Sequence, residues 1–244
     1  MQTGRAVGTI AAVQRYPVKS MAADPLMPGD LRWNGLQGDR QYAFLKTDDR
    51  SRFPWLTGRD VPSLLRYRAR YENPEHPRGS SLAVRSPSGE EYDVADPRLA
   101  AELAALAGEP VQLVQIGRGI YDTAEISVIT TTTAARIGAA HGGEIDIRRF
   151  RANLVVAPLD DAVWDRDWLG GTLSFGTASS PARLRADFPI ARCAMITLDP
   201  DRADKDVSVL RTVARKFDNE VGVYGAVQAP GLLEVGMPVY WLAG

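Results

Sequence analysis

The chain has 244 residues, enough for one large β domain or two smaller ones, with a substantial core either way. A formal net charge of −1 argues against a general nucleic-acid binder and against a polybasic membrane anchor. No run approaches the ~20 apolar residues of a membrane span, and Met1 to Val7 lacks the apolar core and cleavage site of a signal peptide. The expectation is a soluble cytoplasmic protein with no membrane span.

Sixteen prolines and 22 glycines among short apolar runs favour many short strands and turns, a mainly β chain with minor α. One cysteine, Cys193, excludes an intramolecular disulfide and an iron–sulfur cluster held by this chain alone. The two histidines, His76 and His141, lack ligand spacing and read as exposed loop residues, so a structural zinc site is not expected.

Residues 5 to 14 alternate weakly and predict a first strand. It runs into Tyr16-Pro-Val-Lys-Ser20, where Lys19 and Ser20 set an ammonium beside a hydroxyl. They read as a solvated turn or as a phosphate contact. Residues 24 to 34 read as loop. Gly35 to Arg40 is a tight turn into a strand from Gln41 to Leu45, and Arg40 could face a cleft while Asp39 pairs with a neighbouring arginine. Thr57 and Arg59 form a second hydroxyl–arginine pair. Ser63 to Tyr71 is undecided between helix and strand. Two short strands should flank Ser86 to Gly89.

Asp96-Pro97 opens the clearest helix, with Asp96 as N-cap, Leu99, Leu103 and Leu106 on one face, and Gly108 as the stop. A strand from Val111 to Ile116 precedes Gly117 to Gly119, the best domain boundary. Ile126 to Thr133 predicts a strand, its threonines capping a helix from Ala134 to Ala140. Thr130 to Thr133 serve β-propensity and capping, or gather hydroxyls and helix-start N–H groups for an anion. Arg151 and Asn153 enter an apolar strand on one face and need partners there, an internal carboxylate or a ligand. A turn or short helix at Trp164 to Gly171 leads to a strand around Leu173. Val207 to Phe217 predicts a helix, and Tyr224 to Val227 and Val239 to Leu242 the last strands.

Phe188 to Leu198 reads as a strand with Pro189 at its start and Asp199-Pro-Asp201 as the closing turn. Alternation then puts Ala191, Cys193 and Met195 on one face and Arg192 on the other. A lone cysteine is commonly a small buried hydrophobe. As a metal ligand, it would need a cofactor to bring most of the other coordination.

Taken together, Tyr16-Pro-Val-Lys-Ser20, Gly38-Asp-Arg40, Phe150-Arg-Ala-Asn153, Arg192-Cys193 with Asp199-Pro-Asp201, Tyr224-Gly225, and Gly231 through Gly236 to Val239-Tyr240 resemble a MOSC protein preceded by its N-terminal β-barrel domain. By motif the chain is similar to the amidoxime-reducing component. The resemblance implies two β-barrel-like units, 1–118 and 119–244. It implies a molybdenum–molybdopterin cofactor between them, with Cys193 as metal ligand and catalytic centre. Lys19, Ser20, Arg40, Thr130, Thr131, Arg151 and Asn153 would hold that cofactor. Charge and fork geometry suit its phosphate. The implied activity is reduction of N-hydroxylated or related N–O and S–O compounds by oxygen-atom transfer. Electrons would come from an external flavin, iron–sulfur or haem protein. Sulfur transfer through a Cys193 persulfide, and non-catalytic storage or delivery of the cofactor, are the alternatives. Ala191 and Ala152 stand where the family tends to have serine and proline.

Overall fold

The structure, a computed structural model, describes residues 4–176 and 182–244. The first three residues of the stretch read for a leader lie outside the described residues. β1 (Arg5–Arg15) explains its own weak alternation. Its register shifts between Ala6 and Gly8 and again between Ile10 and Ala12. Each irregularity re-phases the strand, so Val7, Ile10 and Val13, three residues apart, all point into one core. A Cβ on Gly8 would lie 2.5 Å from the Ala157 carbonyl oxygen, so glycine permits the close approach of the neighbouring strand.

The chain then forms β2 (Asp24–Pro25), β3 (Gly29–Arg32), β4 (Gly35–Leu36) and β5 (Tyr42–Lys46). The loop expected over 24 to 34 therefore holds two short strands. A 3₁₀ turn at Pro62–Arg66 leads into β6 (Arg68–Tyr71), followed by β7 (Leu82–Arg85) and β8 (Glu91–Asp93), which flank Ser86 to Gly89 as expected. α1 (Pro97–Ala107) has the predicted ends: the Asp96 carboxylate accepts from Arg98 N–H, and Gly108 closes it at φ 72°. Leu99 and Leu103 are buried, but Leu106 points outward, 49% exposed. β9 (Val111–Gln115) ends this half.

β10 (Ile126–Thr130) stops sooner than expected, because Thr130 caps α2 (Thr131–His141) through Thr133 N–H. His141 ends that helix, half-buried beside Asp206, instead of lying in a loop. β11 (Leu154–Pro158), β12 (Thr172–Phe175), β13 (Arg183–Ala191), α3 (Val207–Lys216), β14 (Glu220–Ala229), β15 (Gly231–Leu233) and β16 (Pro238–Leu242) complete the chain.

The fold is mainly β. Seven strands close into a barrel in the order β1, β11, β10, β14, β13, β12, β16 and back to β1. Only the β10–β11 pair is parallel. Val128, Leu154, Phe175, Val223 and Val239 fill its interior. β10 is buried on both faces because α2 and α3 cover it outside, where Ile129 packs with Ile137, Val209 and Val213. A separate core gathers Phe44, Tyr67, Tyr71, Val84, Leu99 and Leu103 in the first half. A division at residue 118 does not divide the sheets. β1 is a barrel strand, and β3 of the first half pairs with β15 of the second.

Candidate functional site

The chain leaves β1 at Arg15 and crosses from the barrel to the first-half core through Tyr16 to Ser20. Lys19 N–H donates to Tyr42 O, which anchors this crossing on β5. The Gly38 turn runs alongside, with Arg40 N–H donating to Tyr16 O. Between the two units lies a cleft of 590 Å³. Lys19, Ser20, Arg40, Arg151, Asn153 and Cys193 all line it, although they come from distant parts of the sequence.

Its charge is one-sided. Arg59, Arg149 and Arg192 add to Lys19, Arg40 and Arg151, six basic side chains against Asp122 as the single lining carboxylate. Lys19 is 7% exposed and donates to Asp122 and to Ile120 O. Burial pushes its pKa below the ordinary lysine value, and Asp122 opposes that shift. Arg40 also loses hydration on burial, yet Asp39 beside it, at 2.5 Å, carries its pKa upward. Burial lowers Arg151 to about 10, the nearby Arg40 cation adding to that effect. The Arg40 and Arg151 guanidinium groups both lie over the Tyr16 ring, at 4.6 and 4.4 Å from its centroid.

Backbone strain gathers here. Six non-glycine residues among those described have positive φ, and three of them, Ser20, Arg40 and Arg151, line this cleft. Such conformations cost of order 1–3 kcal/mol each and persist where surrounding structure fixes them. Arg151 therefore sits at the left-handed end of a 3₁₀ turn (Ile147–Phe150), and β11 starts only at Leu154. The strand face expected to carry Arg151 and Asn153 is replaced by this turn. Of the two partners considered for Asn153, the internal carboxylate is present. Its Nδ2 donates to Asp39 and Gln14 O, and its Oδ1 accepts from Ser127.

Cys193 is exposed and lies just past β13, before a 3₁₀ turn at Ala194–Thr197. The strand thus ends at Ala191, short of the expected Leu198, and Pro189 lies within it, paired with Val223. This early end corrects the facing of Arg192, which lines the same cleft as Cys193. Arg192 Nε donates to Val221 O and Nη1 to Phe150 O, while Nη2 is buried with no hydrogen-bond partner. Burial lowers its pKa to about 10. Phe188 and Tyr224, with ring centroids 5.6 Å apart, and Met195 complete the wall near Cys193.

Thr130 and Thr131 are not brought to the cleft. Thr130 is buried and bonds Thr132 and Thr133, and Thr133 bonds the Asp165 carboxylate. Asp165 in turn accepts from Gly222 N–H. Burial holds its pKa above the usual carboxylate value. The threonine run is an internal hydrogen-bond chain, and Thr131 is exposed on the first turn of α2. Asp122 and Arg149 carried no separable sequence signal, since each is an ordinary residue placed by the fold, and Tyr224 was marked only as part of the Tyr224-Gly225 motif.

Among the described residues no group of three or more His, Cys, Asp or Glu side chains could hold a bare metal ion, and no helix is long and apolar enough to cross a membrane. The donor set fits a metal that arrives with its own ligands and an anionic tail. It offers one exposed thiol, a surplus of cations, and a buried arginine nitrogen still without an acceptor.

A family model described as the MOSC domain matches residues 117–240, and one described as the MOSC N-terminal beta barrel domain matches 7–115. "Molybdenum cofactor sulfurase 2" of Culex quinquefasciatus and "Molybdenum cofactor sulfurase" of Anopheles gambiae are each 31% identical to this chain over 83 residues. Those matches cover 32% of this chain and 10% of either relative. The YUAD protein from Bacillus subtilis has a solved structure similar over 100% of both chains, with a TM-score of 0.52 and 13% identity, a likeness of fold.

Proposed function

The chain belongs to the MOSC family, and from that premise we propose that its cleft binds a molybdenum–pterin cofactor and that the protein reduces N-hydroxylated compounds, or related N–O or S–O bonds. The observation that carries this reading is the exposed thiol of Cys193 opening into a cleft lined by six cations and one carboxylate. When bound, the cofactor would supply a redox-active metal for two-electron oxygen-atom transfer. Cys193 Sγ is the ligand this chain adds. Lys19, Arg40 and Arg151 would hold the anionic phosphate end, both guanidinium groups resting over the Tyr16 ring. Ser20 offers a hydroxyl there. Asn153 acts at one remove, tying Asp39 and thereby Arg40 in place.

Overall, the N–O bond breaks, two electrons and two protons enter, and the reduced nitrogen compound and water leave. The electrons come from a separate flavin, iron–sulfur or haem protein. Phe188, Met195 and Tyr224 give the substrate an apolar wall beside Cys193. The test is benzamidoxime reduction with an artificial electron donor, beside a molybdenum count, on protein made in a host that synthesises the cofactor. A protein carrying molybdenum and turning over benzamidoxime supports the reading. No molybdenum from such a host sinks it.

The names of the two insect relatives favour one second reading, sulfur transfer through a persulfide on Cys193. The thiolate would be the nucleophile. Cyanide-releasable sulfur on a molybdenum-free protein would support that reading.

A further inference from the structure

Behind the Tyr16–Arg151 wall lies a second cavity of 810 Å³ that the proposed chemistry does not use. It sits at the seam between β6–β8 and the barrel. Arg66, Arg68 and Arg85 line it from the first half, and Arg148 and Arg151 from the second, with Asp201 as its single acidic lining residue. Asp201 is already engaged by Arg148 through both oxygens. Arg66, Arg68 and Arg85 form no ion pair or hydrogen bond through their guanidinium groups, and all three are exposed.

Arg68 and Arg85 stand directly opposite each other on neighbouring antiparallel strands. Like charges in that position destabilise a sheet. Arg66 adds a third positive charge from the turn just before β6. Glu91, opposite Arg85 on β8, and Asp201, which faces Arg68 from the second half, offset part of this concentration, and a bound anion would offset the rest.

The remaining lining suits a small molecule better than a flat partner surface. Pro25, Leu65, Pro87 and Pro200 give apolar walls, and Ser88 gives a hydroxyl at the turn. The volume lies in the ~300–1,000 Å³ range of small-molecule sites. Guanidinium forks match phosphate oxygens in pairs.

We propose that this seam cavity is a second ligand site, taking a small phosphorylated compound of nucleotide size whose phosphates bridge Arg68 and Arg85. It is separate from the Cys193 cleft, and Arg151 is the one cation that lines both.

The experiment is calorimetric titration with inorganic pyrophosphate of the wild type, of Lys19→Ala, and of Arg68→Gln/Arg85→Gln built on Lys19→Ala so that the Cys193 cleft is weakened in every arginine variant. Pyrophosphate should bind Lys19→Ala saturably, because that change weakens only the Cys193 cleft. The arginine double variant should lose at least about tenfold in affinity at the seam, two charge-assisted contacts having been removed. Its thermal midpoint should stay level or rise, since a repulsive pair is gone. That midpoint also separates lost binding from lost folding, and Arg85→Glu gives a second, single-site check. Saturable binding that is unchanged in both arginine variants, or absent in Lys19→Ala, overturns the proposal. So does binding of polyglutamate without binding of pyrophosphate, which would make the seam a docking surface for an acidic polypeptide.

Discussion

Lys19 and Asp122 lie 103 residues apart and meet at 2.5 Å across the Cys193 cleft. The lysine is deeply buried and the carboxylate is 56% exposed, so the pair joins a desolvated cation to a hydrated anion. An incoming phosphate competes with Asp122 for the same ammonium.

Removing Asp122 should therefore help anion binding. Because the carboxylate is more than half exposed, its hold on Lys19 is worth only ~0–1 kcal/mol. Asp122→Asn is expected to raise phosphate affinity up to about fivefold. Titration calorimetry on both proteins measures it, and weaker binding in the variant would show that Asp122 aids the site.

Protonation gives a second signature. Burial sets the folded pKa of Lys19 below its ordinary value of 10.5. A bound anion favours the charged form and moves that pKa back up. Between the two values, anion binding must take up protons, and below both it must not. Alkaline titrations in two buffers of different ionisation enthalpy should show uptake in wild type and none from this source in Lys19→Met. For stability the sign follows from the lowered pKa. The unfolded chain holds the proton more tightly, so the cost of burying the charge is full below the folded pKa. That cost is relieved as pH rises toward 10.5.

Asp39→Ala is expected to be severe. Asp39 is 1% exposed and accepts from Arg40, Tyr16 N–H and Asn153 Nδ2. Its loss takes the counter-ion from Arg40 and the acceptor from Tyr16 N–H, and leaves Asn153 Nδ2 with Gln14 O alone, a cost of about 3–5 kcal/mol. Asp39→Asn keeps an acceptor and should cost less. Chemical denaturation measures both, and equal losses would show that charge is not the issue.

Much of the local structure could be read directly from sequence. The ends of α1 were, because Asp96, Pro97 and Gly108 act through neighbouring backbone groups. The residues of the cleft were found as types and motifs, while their partners were not. Asn153 bonds Asp39 from 114 positions away, and Thr133 bonds Asp165 from 32. No local pattern encodes such pairings, and of the two readings of the threonine run, capping and an anion site, the structure displays the cap of α2. The positive φ of Arg151 is equally silent, since a non-glycine residue in that region carries no compositional mark. Reading a strand through Cys193 turned Arg192 the wrong way. Alternation detects a strand but not the turn that ends it.

Gly222→Ala should test the seat of Arg192. Gly222 has φ 78°, and a Cβ there would lie 2.7 Å from Arg192 Nη2 and 3.0 Å from Val128 O. The backbone alone costs of order 1–3 kcal/mol for a non-glycine residue. The displaced guanidinium should also weaken phosphate binding in the adjoining cleft. Thermal unfolding and calorimetry together check this, and a variant of unchanged stability would refute the strained seat.

Cys193→Ala should remain folded, since the thiol is exposed and little volume is lost. Benzamidoxime reduction should fall by more than the ~100-fold typical of an outer-shell change. Some cofactor should be retained through Lys19, Arg40 and Arg151. Full activity in the variant would remove Cys193 from the chemistry.

The closure of β1 onto both β11 and β16 has a consequence for how the molecule is made. Val13 waits for Leu154, and Ala6 for Tyr240. During synthesis the opening strand leaves the ribosome long before either neighbour, with apolar residues that have nowhere to pack. Pairings of such long range slow folding, because the intervening chain must be confined before any contact rewards it. The crossing that carries Lys19 hangs from this same strand. The cleft is therefore complete only after residues 238–242 have docked, once the whole barrel has been translated.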